Sequence, residues 1–103
     1  MPDPTDPNTA RRVIVLGSAG SIGTQTLDVV EHLNALHARG EHPRCYEVVG
    51  LATGRRAVEL REQRDRHPGA TTALVEGGPD DADLVGPDAA ERLVRSVEAD
   101  LVV

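Results

Sequence analysis

The sequence predicts an α/β fold, a Rossmann-type parallel sheet flanked by helices. Three observations carry that prediction. Short aliphatic runs alternate with amphipathic segments in the order β-α-β-α-β-loop-α-β, the alternation that builds parallel sheets with right-handed crossovers. The first run, Val13-Ile14-Val15-Leu16, is apolar without interruption, as suits a strand covered on both faces. It passes directly into Gly17-Ser18-Ala19-Gly20-Ser21-Ile22-Gly23, a glycine-rich turn that opens a helix.

Taken in order, residues 1–11 read as a disordered tail and residues 12–103 as one domain. Residues 1–10 hold three prolines, two Asp and no apolar period. Strand one is Val13–Leu16. The first helix starts near Ser21, repeats Leu27, Val30, Leu33 and Leu36 or His37 at helical spacing, and stops at Gly40, with Pro43 beyond. Strand two is Tyr46–Ala52, and Thr53-Gly54-Arg55-Arg56 is its exit turn. A polar helix follows, with Ala57, Leu60 and Arg64 on one side, and ends at His67-Pro68-Gly69. Thr72–Val75 is the third strand, and 76–83 a loop. Asp88 is placed to cap a short helix carrying Ala90, Leu93, Val94 and Val97. Asp100–Val103 opens a fourth strand, so the sheet reads as truncated there and the chain as the N-terminal portion of something longer.

Composition narrows the function. The 103 residues contain one Tyr, no Phe, no Trp and no Lys, so the core is aliphatic and every basic side chain is Arg. The net charge of −6 resides in residues 76–103, where eight acidic residues face two arginines. An acidic chain without a basic stripe is a poor nucleic-acid ligand. No apolar run approaches the ~20 residues of a membrane span, and no apolar stretch near the N-terminus fits a secretory signal, so the expected location is cytoplasmic. A single cysteine, Cys45, excludes an internal disulfide and a Cys-based zinc cluster.

The Gly17-x-x-Gly20-x-x-Gly23 spacing carries the chemistry. The first glycine permits the turn out of the strand, the second removes a Cβ that would hold a pyrophosphate off the backbone, and the third lets the helix pack close. The helix N-terminus offers N–H groups and partial positive charge to phosphates, and Ser18 and Ser21 add hydroxyls. NAD sites place Asp or Glu at the end of the second strand to bind the ribose 2′-OH. Here that end has no carboxylate and two guanidinium groups, Arg55 and Arg56, which suit the 2′-phosphate of NADPH. The candidate cofactor-binding residues are therefore Gly17, Ser18, Ala19, Gly20, Ser21, Ile22 and Gly23 with Gly54, Arg55 and Arg56. The remaining constellations are bland. His32, His37, His42 and His67 lack metal-site spacing, and Asp80, Asp81 and Asp83 lack the glycine and bidentate Glu of a calcium loop. Neither Ser18 nor Ser21 is central in a G-x-S-x-G elbow, and a P-loop needs a Lys.

Val13–Val30, VIVLGSAGSIGTQTLDVV, resembles the opening of the 1-deoxy-D-xylulose 5-phosphate reductoisomerase family, whose loop reads GSTGSIG followed by TLDVV. The resemblance returns at Tyr46–Arg56 and Asp88–Val103. It implies rearrangement and NADPH-dependent reduction of 1-deoxy-D-xylulose 5-phosphate to 2-C-methyl-D-erythritol 4-phosphate in non-mevalonate isoprenoid biosynthesis. It also implies Mg²⁺ or Mn²⁺ and a homodimer in the full-length enzyme. By the match, phosphate contacts fall on Ala19, Gly20, Ser21 and Ile22, and the 2′-phosphate and adenosine ribose on Gly54, Arg55 and Arg56. Ala19 replaces the family's Thr, the first crossover through His32–Arg44 is longer than usual, and the 76–83 loop is shorter. The family's metal carboxylates, substrate pocket and lid have no counterpart in the sequence, so the chain alone is expected to carry no catalytic or metal residues and to be non-catalytic. Two alternatives stand beside this. One is another NADP-dependent reductase with a GxxGxxG loop, and the other a stand-alone nucleotide-binding module.

Overall fold

A computed structural model describes residues 9–103. The eight elements are β1 (Arg11–Leu16), α1 (Ser21–Ala38), β2 (Tyr46–Thr53), α2 (Ala57–Arg66), β3 (Thr71–Leu74), β4 (Leu84–Val85), α3 (Ala89–Ser96) and β5 (Leu101–Val102). They form one five-stranded, all-parallel sheet in the order β4-β3-β2-β1-β5. The predicted Rossmann-type class holds. The sheet has one more strand than the sequence reading counted. Leu84–Val85 pairs with Ala73 and Leu74 at the edge, just after the 76–83 loop in a stretch that had no assignment, and two residues are too few to show a strand period. The expected tail falls largely on residues outside those described, and β1 is already paired from Arg11.

The helices divide between the two faces. On one, Val13, Val15, Val48, Leu51 and Leu74 meet Leu27 and Val30 of α1 and Leu60 of α2. On the other, Ile14, Val49, Ala52 and Ala73 meet Ala89 and Leu93 of α3. Alternation along β1 sorts its residues in the expected way. On β2 the alternation skips, because Val48 and Leu51 share a face. The cause is a register shift: Val13 pairs with Val48 but Ile14 with Gly50. An added Cβ on Gly50 would sit 3.0 Å from Ile14 Cγ1 and 3.3 Å from Leu93 Cδ1, so glycine is what the irregular step leaves room for.

Helix ends follow local chemistry. Gly40 at φ +75° closes α1, with its N–H on the His37 carbonyl and the Glu41 N–H on that of Leu36, a Schellman pair. Asn34 then ties α1 to the start of β2. Its amide donates to the Tyr46 carbonyl at 2.8 Å and accepts from the Tyr46 N–H at 2.7 Å. Two expectations need correction. Asp88 makes no side-chain cap on α3, and its carboxylate lies 3.5 Å from the Arg92 guanidinium instead. On α2 the buried residues are Leu60 and Gln63, while Arg64 is exposed. The acidic loop, 76–83, is held by its own carboxylates. Asp83 accepts from the N–H and hydroxyl of Thr72 at 2.8 and 3.1 Å, and Asp81 accepts from the Gly78 N–H at 2.7 Å.

Candidate dinucleotide site

The site begins where β1 ends. Leu16 donates its N–H to Val103 at 2.8 Å, and Gly17 then turns the chain at φ +63°, a left-handed conformation that favours glycine. The Ser18 N–H donates to the Ala52 carbonyl at 2.8 Å, pinning the turn to β2, and the Gly20 N–H returns to the Gly17 carbonyl at 3.0 Å. Gly20 is the N-cap of α1, whose first backbone bond runs from Thr24 N–H to the Gly20 carbonyl. Gly23 is locked in by contact. A Cβ there would run into the Gly17 carbonyl oxygen and lie 2.7 Å from Ser18 Cα. The assignment of one glycine to turning and another to close packing thus has a direct steric basis.

No side chain caps α1, and its first turn holds no acidic residue. The leading N–H groups of an 18-residue helix are left to an outside acceptor, and the helix dipole favours an anionic one. The opening lies at the C-terminal ends of β1 and β5, where the strand order reverses. That is where open α/β sheets place their ligands. A groove of about 330 Å³ runs there, lined by Val15, Leu16, Gly17, Gly20, Ser21, Ile22, Gly23, Thr26 and Val103.

Five of the expected residues, Gly17, Gly20, Ser21, Ile22 and Gly23, thus line the groove. Ser18 and Ala19 are buried behind it, and the Ser18 hydroxyl faces the interior with no hydrogen-bond partner among the described residues. Gly54, Arg55 and Arg56 lie off the groove, past the end of β2. The two clusters are joined directly by Arg56, which donates from Nη1 to the Ala19 carbonyl at 3.1 Å. Arg55 projects into solvent and lies 4.0 Å from Glu76, an exposed pair. Glu76 was invisible as a neighbour in the sequence, since it arrives from the far end of β3. Its N–H donates to the Gly54 carbonyl at 2.7 Å. A Cβ on Gly54 would meet nothing within 4 Å, and its φ is not in the left-handed region, so the fold itself does not demand glycine there.

Gln63 is the second residue the sequence did not single out. It is 4% exposed and donates from Nε2 to the Ser18 carbonyl at 2.8 Å. No local signal marks this pairing, because it spans 45 residues. On the same helix pair, His67 packs 3.4 Å from the Glu31 carboxylate of α1, in ion-pair range without hydrogen-bond alignment. Burial pushes the His67 imidazole below its usual value. Glu31 pulls against that shift, and the adjacent Arg66 adds to it.

A sequence profile described as 1-deoxy-D-xylulose 5-phosphate reductoisomerase matches residues 13–103. The proteins of that name from Rhodococcus jostii, Leifsonia xyli and Mycobacterium ulcerans are 40%, 41% and 42% identical to the chain over 95%, 92% and 89% of its length. The aligned part is 24%, 21% and 22% of those proteins, so the chain spans about a quarter of the length of these relatives. With the glycine turn, the parallel sheet and 91 matched residues in agreement, the chain belongs to the 1-deoxy-D-xylulose 5-phosphate reductoisomerase family.

Proposed function

We propose that this chain is the NADPH-binding region of an enzyme that rearranges and reduces 1-deoxy-D-xylulose 5-phosphate to 2-C-methyl-D-erythritol 4-phosphate. NADPH, when bound, supplies the hydride for the reduction. The chain's own part is to seat the dinucleotide. The uncapped first turn of α1, with no carboxylate in it, is the observation that carries the proposal, because it leaves oriented donors and positive potential for a pyrophosphate. Gly20 keeps side-chain bulk away from that approach, and the Ser21 hydroxyl stands in the same groove. Arg55 and Arg56 hold the 2′-phosphate. Arg56 spends one N–H on Ala19 and keeps the rest of its donor fork. Gly54 gives the ribose a side-chain-free approach.

Among the described residues, no three His, Cys, Asp or Glu side chains converge, and the Mg²⁺ or Mn²⁺ is proposed for the full-length enzyme. No helix among them is long and apolar enough to cross a membrane. A cytoplasmic homodimer is the proposed setting of the full-length enzyme.

The test is a titration of the protein with NADPH and with NADH. The double change Arg55→Ala, Arg56→Ala removes the 2′-phosphate partners, so NADPH affinity falls by about tenfold or more, the worth of one to two charge-assisted bonds. NADH loses only the loop tether that Arg56 gives Ala19, so its affinity falls less than that of NADPH. Equal weakening of both would refute the 2′-phosphate assignment, and no NADPH binding by the unaltered protein would refute the cofactor assignment.

A further inference from the structure

We propose that Gln63 of α2 is a positioning residue for the dinucleotide loop: it holds the Ser18 carbonyl and thereby sets the shape of the glycine turn that meets the pyrophosphate. The inference rests on the dinucleotide reading of the groove.

The burial of Gln63 is costly. Its Oε1 is enclosed and has no hydrogen-bond partner among the described residues, and an orphaned acceptor destabilises a fold. A Leu at this position would continue the apolar side begun by Leu60 with no such loss. The donor half of the amide accounts for its presence. Nε2 reaches the Ser18 carbonyl at 2.8 Å, a neutral hydrogen bond of ordinary length inside a buried environment. The orientation of the amide follows from the partner, since the opposite rotamer would set oxygen against oxygen.

The bond acts on the site through the peptide plane. The carbonyl of Ser18 and the N–H of Ala19 belong to one trans peptide and point in opposite directions. Holding the carbonyl toward α2 turns that N–H away from α2. The next carbonyl, of Ala19, is held by Arg56 from the same β2–α2 segment. Two consecutive loop carbonyls are thus fixed by side chains seven residues apart, one buried and one at the surface. Gly17 at φ +63° and the bare Gly20 make this turn conformationally permissive, so tethers from outside are what give it one shape.

Two variants of the purified full chain test this, Gln63→Leu and Gln63→Glu. Two quantities are read: amide hydrogen exchange, and affinity for NADPH and NADH. In Gln63→Leu, amides of residues 17–23 exchange faster while those of β2 and β3 keep their protection. Both dinucleotides weaken together by about tenfold, the worth of one buried hydrogen bond. The NADPH-to-NADH preference stays as it was, since the change does not touch the arginines. In Gln63→Glu, a protonated carboxyl can donate to the Ser18 carbonyl and an ionised one repels it. Affinity relative to the unaltered protein is therefore low at about pH 8 and recovers toward about pH 5.5, a profile that a space-filling role cannot produce. If Gln63→Leu folds and leaves loop exchange unchanged, or accelerates exchange evenly across the sheet, Gln63 is core filling and the proposal fails. If Gln63→Leu fails to fold, Gln63→Met, close to Gln in length, supplies the same exchange and affinity comparison, and if Gln63→Glu fails to fold the exchange pattern decides alone. If the unaltered protein binds neither dinucleotide, the cofactor reading falls, and the exchange pattern alone still decides whether Gln63 shapes the turn.

Discussion

Gly23 and Gly54 are both glycines of the candidate site, and they answer to different constraints. Gly23 is enclosed against the Gly17 carbonyl and Ser18, so Gly23→Ala must push α1 off the loop. It costs about 1–3 kcal/mol as overpacking, seen as a lower urea midpoint. Gly54 faces open space at an ordinary φ, so Gly54→Ala leaves stability unchanged or slightly higher, by about 0.4–1 kcal/mol at most. If a ribose approaches there, the same change weakens NADPH binding. A variant that is both stable and unimpaired in binding would remove Gly54 from the site. Gly17 and Gly23 were readable in the sequence because a positive φ at one and zero clearance at the other leave only one residue type. What Ser18 does was not. Its hydroxyl looked like a donor for phosphate and instead points inward, since the loop's pinning to Ala52 decides which way it faces.

Between elements, the contact of α2 with α1 brings a titratable group indoors. His67 is only 12% exposed in its side chain beside Glu31, and burial makes its neutral form the favoured one in the fold. The unfolded imidazole takes up its proton at about 6.5, before the folded one does, so stability is full above that pH and declines as pH falls through it. Urea midpoints at about pH 7.5 and 5.5 should differ more for the unaltered protein than for His67→Gln, and an equal difference in both would exclude this group. Long elements were legible from pattern. α1, β1 and β2 showed their period or continuous apolarity, and Gly40 marked a helix end that needs a positive φ. The polar α2 and the short β3, α3 and β5 were placed as well, while β4 and some side-chain partners were not. Two-residue β4 has no period, and Asp88 had the right type for a cap but lies in a geometry that sends its carboxylate to Arg92. The Asn34 and Gln63 amides bind backbone groups 12 and 45 residues away, and no window of sequence encodes such a partner.

At the scale of the whole molecule, the sheet order determines how far along the chain each partner lies. β1 meets β2 across one crossover, and β2 meets β3 across the next. β5 reaches β1 from the other end: Val13 pairs with Leu101, and the Arg12 N–H donates to the Asp100 carboxylate at 2.9 Å across a separation of 88 residues. This seam consists of two paired positions and a few terminal hydrogen bonds, while the β1–β2 seam runs through six paired positions. The difference acquires a meaning in time. Contacts remote along the chain form late, after nearer ones have met their ordering cost. A core of β1, β2 and β3 with α1 and α2 is therefore expected to assemble first and β5 to zip on last. Asp100→Ala removes a bond absent from the transition state, so it speeds unfolding by about fivefold, for a bond worth about 1 kcal/mol, and leaves the refolding rate in place. A variant that slowed refolding instead would put the β1–β5 seam in the nucleus. The groove at the switch point is lined by the end of β1 and the start of α1, and by Val103 just past β5. On the expected order, this groove is the last part of the molecule to come into being and the first to be lost when it opens.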